Sequence, residues 1–354
     1  MKALVYHGNR DVRYQDVEDP TPGEGGALIK VDYCGICATD IEEYQFGPNF
    51  IDHERPNRVT GRMMPIVIGH ELTGTVVEVG PSAGGVAVGD RVVLNGVLTC
   101  GECWWCLNDH KNQCPHNASV GFGADGGLAE YVAWPAAQVV KLPDQVSSQE
   151  AGLVEPTAIG HHAVRRGGIT AGDRVAVLGA GTVGLLAMQA ARAMGAWVCA
   201  IDIRPMSLDV ASELGADATI DSGQANAVEQ LAGLTDGLGP DVVIEAAGAP
   251  RTPHLAVELV RRGGRVVLVA IYTAVPEFDF NTILGKEVEL AGSIGYEQQD
   301  VEAAVRMIAA GDVKTASLIS GIIGLDEVVE VGYARMLAPT KDVFRLLVSP
   351  SGEK

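Results

Sequence analysis

The chain has 354 residues, of which 47% are hydrophobic and 20% are charged, and its formal net charge is -19. A chain of this length exceeds one typical hydrophobic core, so two domains are expected. The negative charge argues against nucleic acid or a membrane surface as partner, because phosphate binding requires clustered Lys and Arg. The sequence has no run of about eighteen apolar residues and no apolar signal core, which predicts a cytoplasmic protein.

The predicted elements change character along the chain. From about residue 25 to 140, short β-like runs such as ALIKVDY, LTGTVVEVG and AEYVAW alternate with Gly and Pro, which indicates an irregular β domain. From about residue 158, apolar strands alternate with Ala-rich helical segments, beginning with RVAVLGAG and TVGLLAMQAARAMGA. This alternation predicts an α/β fold with a parallel sheet covered by helices on both faces. A last helix is expected at DVEAAVRMIAAG and a last strand near FRLLVS.

Four cysteines within fifteen residues form the most specific motif, CGECWWCLNDHKNQC. They are Cys100, Cys103, Cys106 and Cys114. Four thiolates close a tetrahedral shell around Zn²⁺ and leave no position for a substrate, so we predict a structural zinc site. The alternative, four thiols without a metal, is disfavoured by the spacing.

A second set of residues has the chemistry of a catalytic zinc site. Its members are Cys37 in CGICATD, His70 and Glu71 in GHE, and Glu155 in VEP. Cysteine, histidine and carboxylate all suit zinc, and a catalytic site keeps one position open. Each fragment is weak by itself. A His-Glu pair is often structural, and Cys34 with Cys37 also fits a redox C-x-x-C pair.

A glycine-rich turn follows the strand RVAVL and opens the next helix, as a dinucleotide fingerprint requires. Its candidate cofactor-binding residues are Gly179, Gly181, Val183 and Gly184. Asp202 ends the next predicted strand, where a carboxylate bonds the adenosine ribose 2′-hydroxyl of NAD. Arg204 would suit the 2′-phosphate of NADP, but the Asp202 carboxylate would repel that phosphate. The sequence therefore predicts NAD.

These motifs, in this order, resemble the zinc-containing medium-chain dehydrogenases over nearly the whole chain. The resemblance is greatest to the sorbitol and butanediol dehydrogenase branch, through DIEEYQFGP, LVEPTA and KEVELAGSIGY. The long segment from Phe46 to Pro65 is more similar to butanediol dehydrogenases. The family fold implies a GroES-like catalytic domain at 1–158 and 290–354, with a Rossmann NAD-binding domain at 159–289.

The resemblance also implies roles for the candidate residues. Cys37, His70 and Glu71 would hold the catalytic zinc, with Glu155 as a direct or water-bridged fourth ligand. Cys34 would not be a ligand.

The first helix after Cys37 would supply the proton route. Thr39 matches the hydroxyl that relays the alcohol proton, and Tyr44 matches a residue of the substrate pocket. Many relatives carry His where this chain has Glu42, so Glu42 is either the proton acceptor or a solvated residue at a helix start. As an acceptor, its ordinary pKa, about two units below that of histidine, would lower the acid limb of the pH profile.

The activity implied is hydride transfer between NAD and a secondary alcohol or its ketone, with two zinc ions per chain. The expected substrate is a small vicinal diol or hydroxyketone, such as butanediol or acetoin, and the expected assembly is a homodimer or homotetramer. A sugar alcohol or L-threonine is the alternative substrate. A zinc-stabilised nucleotide-binding module without catalysis and a zinc hydrolase are more remote alternatives, and the glycine fingerprint disfavours the hydrolase.

Overall fold

The computed structural model describes residues 1–224, 226–272, 274–276, 278–340 and 342–352. They divide into two compact units. Unit 1 contains Met1–Glu155, Glu297–Val305 and the chain from Leu318 onward, and unit 2 contains Pro156–Tyr296 and Arg306–Ser317.

The first 155 residues are built mainly from short strands. The strands are β1 (Lys2–Gly8), β2 (Asp11–Asp16), β3 (Gly26–Ile36), β4 (Ile66–Val67), β5 (Glu71–Val79), β6 (Arg91–Leu94), β7 (Val97–Leu98), β8 (Ala118–Ser119), β9 (Tyr131–Pro135) and β10 (Val139–Lys141). The helices are α1 (Ala38–Phe46), α2 (Trp104–Leu107) and α3 (Ser148–Ala151), with 3-10 turns at Lys111–Gln113 and Ala136–Gln138.

The middle of the chain alternates helices and strands. The strands are β11 (Arg174–Leu178), β12 (Trp197–Asp202), β13 (Ala218–Asp221), β14 (Val242–Glu245), β15 (Arg265–Leu268) and β16 (Glu289–Gly292). The helices are α4 (Val154–Gly167), α5 (Thr182–Ala193), α6 (Pro205–Glu213), α7 (Ala227–Leu234), α8 (Thr252–Leu259), α9 (Phe280–Lys286) and α10 (Gln298–Ala310).

The last part of the chain returns to strands. It contains β17 (Ile319–Gly324), a π-helix at Val328–Tyr333, α11 (Ala334–Leu337) and β18 (Arg345–Ser349), with 3-10 turns at Ala316–Leu318 and Leu325–Glu327.

Strand β3 is the centre of unit 1. It pairs antiparallel with β5, β9 and β18 in a seven-stranded sheet whose main path is β10-β6-β5-β3-β18-β17. Gly35 of β3 lies opposite Glu71 of β5, and Ile36 lies opposite Leu346 of β18. The carboxyl end of β3 therefore meets the beginnings of β5 and β18, and the candidate metal ligands lie at this end.

Unit 2 contains a six-stranded parallel sheet with the order β13-β12-β11-β14-β15-β16. Its inner strands β11, β12 and β14 are largely apolar and buried, as expected for strands that are covered on both faces. Cys199 in β12 is fully buried, and burial raises the pKa of its thiol to about 12, which agrees with a structural role. The predicted α/β class with a parallel sheet is confirmed.

The two units differ in detail from the predicted domain bounds. Residues 290–296 and 306–317 group with unit 2. Strand β16 pairs with β15, which extends the sheet to Gly292. The side chain of Gln189 accepts the backbone N–H of Lys314 at 2.8 Å, which ties the chain after α10 to α5. None of the helices in the described ranges combines the length and apolarity that a membrane span needs.

Candidate active site

Three chemically different ligand groups converge at the carboxyl end of β3. Cys37 directly follows that strand, and His70 and Glu71 lie where β5 begins. The antiparallel pairing of β3 with β5 brings these segments together, and the three ligand atoms lie within 4.8 Å of one another. Sulfur, imidazole nitrogen and carboxylate oxygen form a donor set that zinc accepts in catalytic sites. This cluster therefore fits a catalytic zinc ion.

Asp40 connects two members of this cluster. Its Oδ2 accepts the backbone N–H of Cys37 at 2.8 Å, and its Oδ1 lies 3.3 Å from Nδ1 of His70. Burial alone lowers the pKa of His70, but the charges of Asp40 and Cys37 outweigh it and raise that pKa. A carboxylate behind a ligating histidine fixes the orientation of its ring. The sequence prediction missed Asp40, although the capping spacing from Cys37 to Asp40 is a usable signal.

Arg345 is a second residue that the sequence prediction missed. Its Nε lies 3.1 Å from Oε2 of Glu71, with side chains that are 4% and 0% exposed, and its Nη1 donates to the carbonyl of Ile36 at 2.7 Å. Burial by itself lowers the pKa of Arg345, but the neighbouring charges of Glu71 and Cys37 outweigh this effect and raise that pKa. The guanidinium therefore stays charged. A buried carboxylate requires such a partner. Arg345 thus holds the position and balances the charge of Glu71.

Glu155, the predicted fourth ligand, and Cys34, which was predicted not to be a ligand, both lie outside the group of three. Glu155 lies outside the group of three whose ligand atoms converge, but its charge acts on Arg345. Its role as a direct or water-bridged ligand stays a prediction. Cys34 is fully buried outside the cluster, and burial raises the pKa of its thiol well above the usual value.

Helix α1 carries the three other residues predicted for this site. Thr39 Oγ1 lies 3.7 Å from Sγ of Cys37, at the edge of the cluster. Glu42 follows three residues later on the same helix face, and burial raises the pKa of its carboxyl. The ring of Tyr44 packs against Tyr333 with 5.0 Å between the centroids.

An aromatic wall of Phe122 and Phe50 lies beside His70. The ring centroid of Phe122 is 4.9 Å from that of His70 and 5.7 Å from that of Phe50. Phe50 belongs to the long segment between Phe46 and Pro65. The wall makes the surroundings of the cluster apolar on this side, and the sequence prediction did not identify it.

The buried carboxylate of Glu43 anchors the segment that carries Phe50. It accepts the backbone N–H groups of Asn49 at 2.9 Å, Phe50 at 3.0 Å and Ile51 at 3.3 Å. Glu43 is only 2% exposed, so these hydrogen bonds replace the water that its carboxylate loses on burial. Glu43 therefore fixes the start of the long segment relative to α1.

The four-cysteine lobe has the dimensions of a zinc site. The Sγ–Sγ distances are 3.4 Å for Cys103–Cys106, 3.6 Å for Cys100–Cys114, 3.8 Å for Cys103–Cys114 and 4.0 Å for Cys100–Cys106. Thiolates at 2.3 Å from a tetrahedral zinc ion are about 3.8 Å apart. The backbone N–H of Glu102 is the main cause that lowers the pKa of Cys100 to about 7. All four cysteines are free of disulfides, and they fit a structural zinc ion.

The glycine turn of unit 2 lies between β11 and α5, as predicted. Gly179 has φ +100°, and a Cβ there would come within 2.6 Å of the backbone nitrogen of Ala247. A Cβ at Gly184 would overlap the carbonyl oxygen of Gly179, whereas one at Gly181 would meet open space. Val183 is partly buried in the first turn of α5. The turn thus leaves room at Gly181, before a helix N-terminus that suits a pyrophosphate.

Asp202 and Arg204 lie at the carboxyl end of β12, next to the glycine turn. Asp202 is the last residue of β12, and its side chain is 7% exposed. Arg204 Nε lies 3.2 Å from Oδ1 of Asp202. The two residues that the sequence treats as alternatives are therefore an ion pair.

Comparison with known proteins extends over both units. Residues 23–144 match the family model of the alcohol dehydrogenase GroES-like domain, and residues 182–310 match that of the zinc-binding dehydrogenases. The (R,R)-butanediol dehydrogenase of Bacillus subtilis is 34% identical over 99% of this chain and 100% of its own length. A sorbitol dehydrogenase of Halalkalibacterium halodurans is 35% identical over 90% of this chain and 92% of its own length.

Solved structures give the same result. The crystal structure of 2R,3R-butanediol dehydrogenase from Bacillus subtilis matches with a TM-score of 0.91 and 33% identity, and covers 99% of both chains. A zinc-binding dehydrogenase from Sinorhizobium meliloti 1021 bound to NADP matches with a TM-score of 0.88 and 32% identity, again over 99% of both chains.

The chain therefore belongs to the family of zinc-binding, medium-chain alcohol dehydrogenases. It is an oxidoreductase that uses zinc and a nicotinamide dinucleotide, and it is similar to the butanediol and sorbitol dehydrogenase branch. The predicted family, its two-domain fold class and the dehydrogenase activity are confirmed.

Proposed function

We propose that this chain interconverts a small vicinal diol and its hydroxyketone, such as butanediol and acetoin, with NAD as the hydride carrier. The observation that carries this proposal is the Cys37, His70 and Glu71 cluster with Phe122 against His70. A site that is bounded by aromatic rings favours a methyl-bearing diol over a fully hydroxylated sugar alcohol, whose hydroxyl groups would lose their hydrogen bonds to water.

Cys37, His70 and Glu71 would hold the zinc ion, and side chains of α1 would carry the proton away from the substrate alcohol. When bound, zinc would supply a Lewis acid for the substrate oxygen, and NAD would supply the hydride acceptor. Thr39, 3.7 Å from the Cys37 sulfur, would accept the alcohol proton as it gives up its own hydroxyl proton, and Glu42, three residues further along α1, would receive the released proton. Tyr44 borders the substrate. Asp40 and Arg345 act through the ligands: they hold His70 and Glu71 in place.

Two zinc ions per chain and NAD are the proposed cofactors. Four thiolates support a closed structural site, and the cluster supports an open catalytic one, with Glu155 as its direct or water-bridged fourth ligand. The carboxylate of Asp202 at the end of β12 supports NAD, because it can accept a hydrogen bond from a ribose hydroxyl.

We also propose a cytoplasmic homo-oligomer. The seven cysteines form no disulfide, which suits a reducing compartment. Strand β16 is an edge of the parallel sheet, and large apolar side chains within it or close to it along the chain are exposed: Leu284 is 76%, Ile294 is 64% and Leu290 is 43% exposed. Such an edge requires a cover, and a second copy of the chain in a homodimer or homotetramer supplies it.

A substrate panel tests the proposed activity. The purified protein is given NAD with each stereoisomer of 2,3-butanediol, with sorbitol and with L-threonine, and NADH is followed by absorbance. We expect a kcat/KM for one butanediol isomer that is at least about tenfold above that for sorbitol, a difference typical of discrimination by pocket contacts. Higher kcat/KM for sorbitol or L-threonine would contradict the proposed substrate.

Two cysteine variants test whether the turnover measured in that panel depends on the Cys37, His70 and Glu71 cluster. Cys37→Ser removes a sulfur of the cluster, and we expect it to abolish turnover. Cys34→Ala changes the buried thiol outside the cluster, and we expect it to retain turnover. Equal loss in both variants would contradict the assignment of Cys37. Zinc and nucleotide binding without turnover of any alcohol would favour a non-catalytic module.

A further inference from the structure

The carboxylate of Asp202 is engaged by its own chain. Its Oδ2 accepts the backbone N–H of Ala180 at 2.7 Å, and its Oδ1 accepts those of Ile203 at 2.8 Å and Arg204 at 2.9 Å. A carboxylate offers about four acceptor positions. Three of them are thus occupied by backbone donors, and one of these donors belongs to the glycine turn.

The guanidinium of Arg204 lies across the same carboxylate. Nε is 3.2 Å from Oδ1 and Nη2 is 3.3 Å from Oδ2, so the contact is two-pronged. Nη2 also lies 3.5 Å from the carbonyl oxygen of Ala180. The Arg204 side chain is 29% exposed, against 7% for Asp202. The pair therefore presents its cationic side to solvent and its anionic side to the backbone.

The ion pair changes how the subsite treats a 2′-phosphate. A lone carboxylate repels it, but a carboxylate paired with a guanidinium has no net charge. The guanidinium has five N–H donors in a planar fork that matches phosphate oxygens, and the contacts above use only Nε and Nη2. Asp221 of β13 pairs in register with Asp202 of β12, and its negative charge would repel a 2′-phosphate. Its Oδ1 accepts the N–H of Gly223 at 2.9 Å.

We propose that the Asp202–Arg204 pair lets the nucleotide site of unit 2 accept both NAD and NADP. Arg204 receives the 2′-phosphate of NADP through its exposed side, whereas the 2′-hydroxyl of NAD donates to Asp202 in place of one of the two Arg204 N–H groups. NAD is favoured only narrowly, because Arg204 offsets the charge that would exclude NADP. This inference rests on the proposed function only in taking a nicotinamide dinucleotide as the ligand.

Binding without substrate tests the pair directly. The zinc-loaded protein and the variants Arg204→Ala, Arg204→Lys and Asp202→Asn are titrated with NADH and with NADPH, and the fluorescence of the reduced nicotinamide gives each Kd. The unaltered protein is expected to bind NADH more tightly, by less than about thirtyfold. Arg204→Ala is expected to weaken NADPH at least about tenfold more than NADH, and Asp202→Asn to reverse the preference.

Two further variants separate charge recognition from general damage. Arg204→Lys keeps the charge without the fork, and its NADPH affinity is expected to lie between those of the unaltered protein and Arg204→Ala. Arg174→Ala removes another ion pair of unit 2, that with the exposed Asp236 at 2.6 Å, and is expected to change neither Kd. An unchanged NADPH-to-NADH ratio in Arg204→Ala, or an unaltered protein that binds NADH but not NADPH, would overturn the inference. Failure to bind either dinucleotide would overturn the proposed function itself.

Discussion

At the scale of single residues, two side chains outside the predicted ligand set contact the predicted ligands. Asp40 contacts Cys37 and His70, and Arg345 contacts Glu71. Both are nearly fully buried, so each charge depends on its partner. Removal of either would leave a ligand free to turn.

Glu42 is the residue whose role is most open to test. In the proposed route it must be deprotonated to accept the proton, so activity is lost as pH falls through its pKa. Burial raises that pKa above the ordinary 4.5, so the acid limb lies higher than an exposed carboxylate would give. We expect Glu42→Gln to reduce kcat by at least about 10²-fold, and Glu42→His to shift the acid limb. Initial rates across pH measure both effects.

The stability of the Glu42→Gln variant is the control. A raised carboxyl pKa means that the fold disfavours the charged form, so this group costs stability above its unfolded pKa and not below it. At neutral pH the neutral amide should therefore unfold at the same temperature or higher. Unchanged rates and pH profiles in both variants would mean that Glu42 is a solvated bystander.

The sequence predicted the candidate ligands but not the residues that contact them. The four lobe cysteines stand in a spacing that is specific to metal sites, whereas Cys37 and His70 were predicted from fragments that become informative only together. Arg345 lies in an ordinary apolar strand, 274 positions from Glu71 by their residue numbers, and only the pairing of β18 with β3 brings it to the site. Phe50 and Phe122 likewise meet through tertiary packing, which no local pattern predicts.

At the scale of elements, the segment from Phe46 to Pro65 connects two sites. Glu43 anchors its beginning, while Asn57 Nδ2 donates to the carbonyl of Asn117 at 3.0 Å, just after the last lobe cysteine. Arg58 forms an ion pair with Glu102 inside the lobe. The aromatic wall beside His70 therefore depends on a segment that contacts the four-cysteine lobe through Asn57 and Arg58.

Loss of the structural zinc is expected to lower activity from a distance. Cys106→Ser should reduce the zinc content by about one ion per chain and lower the Tm, because structural zinc contributes folding free energy. Turnover should fall even though Cys37, His70 and Glu71 are intact. Elemental analysis, thermal unfolding and hydrogen exchange over residues 49–60 measure these effects. Cys199→Ser, which changes a buried thiol outside both sites, should keep its zinc. Full zinc content and activity in Cys106→Ser would contradict the dependence.

At the scale of the whole molecule, the sequence predicted the α/β class and the order of its parts well, because periodicity is a local property. The bounds between the parts were less predictable. Helix α10 contains residues of both units, with Val305 in unit 1 and Arg306 in unit 2. A continuous amphipathic helix gives no signal of such a division, which depends on what packs against each of its turns.

Stepwise removal of zinc from the holoenzyme tests the central claim most directly. The ratio of zinc to protein and the rate of NADH formation are measured on the same samples as a chelator is added. The account predicts about two zinc ions per chain at the start, with turnover lost as the first is removed and restored when zinc returns. The open cluster of Cys37, His70 and Glu71 should release its ion before the closed four-cysteine shell. Full turnover by zinc-free protein, or a single ion per chain in the active enzyme, would contradict the account.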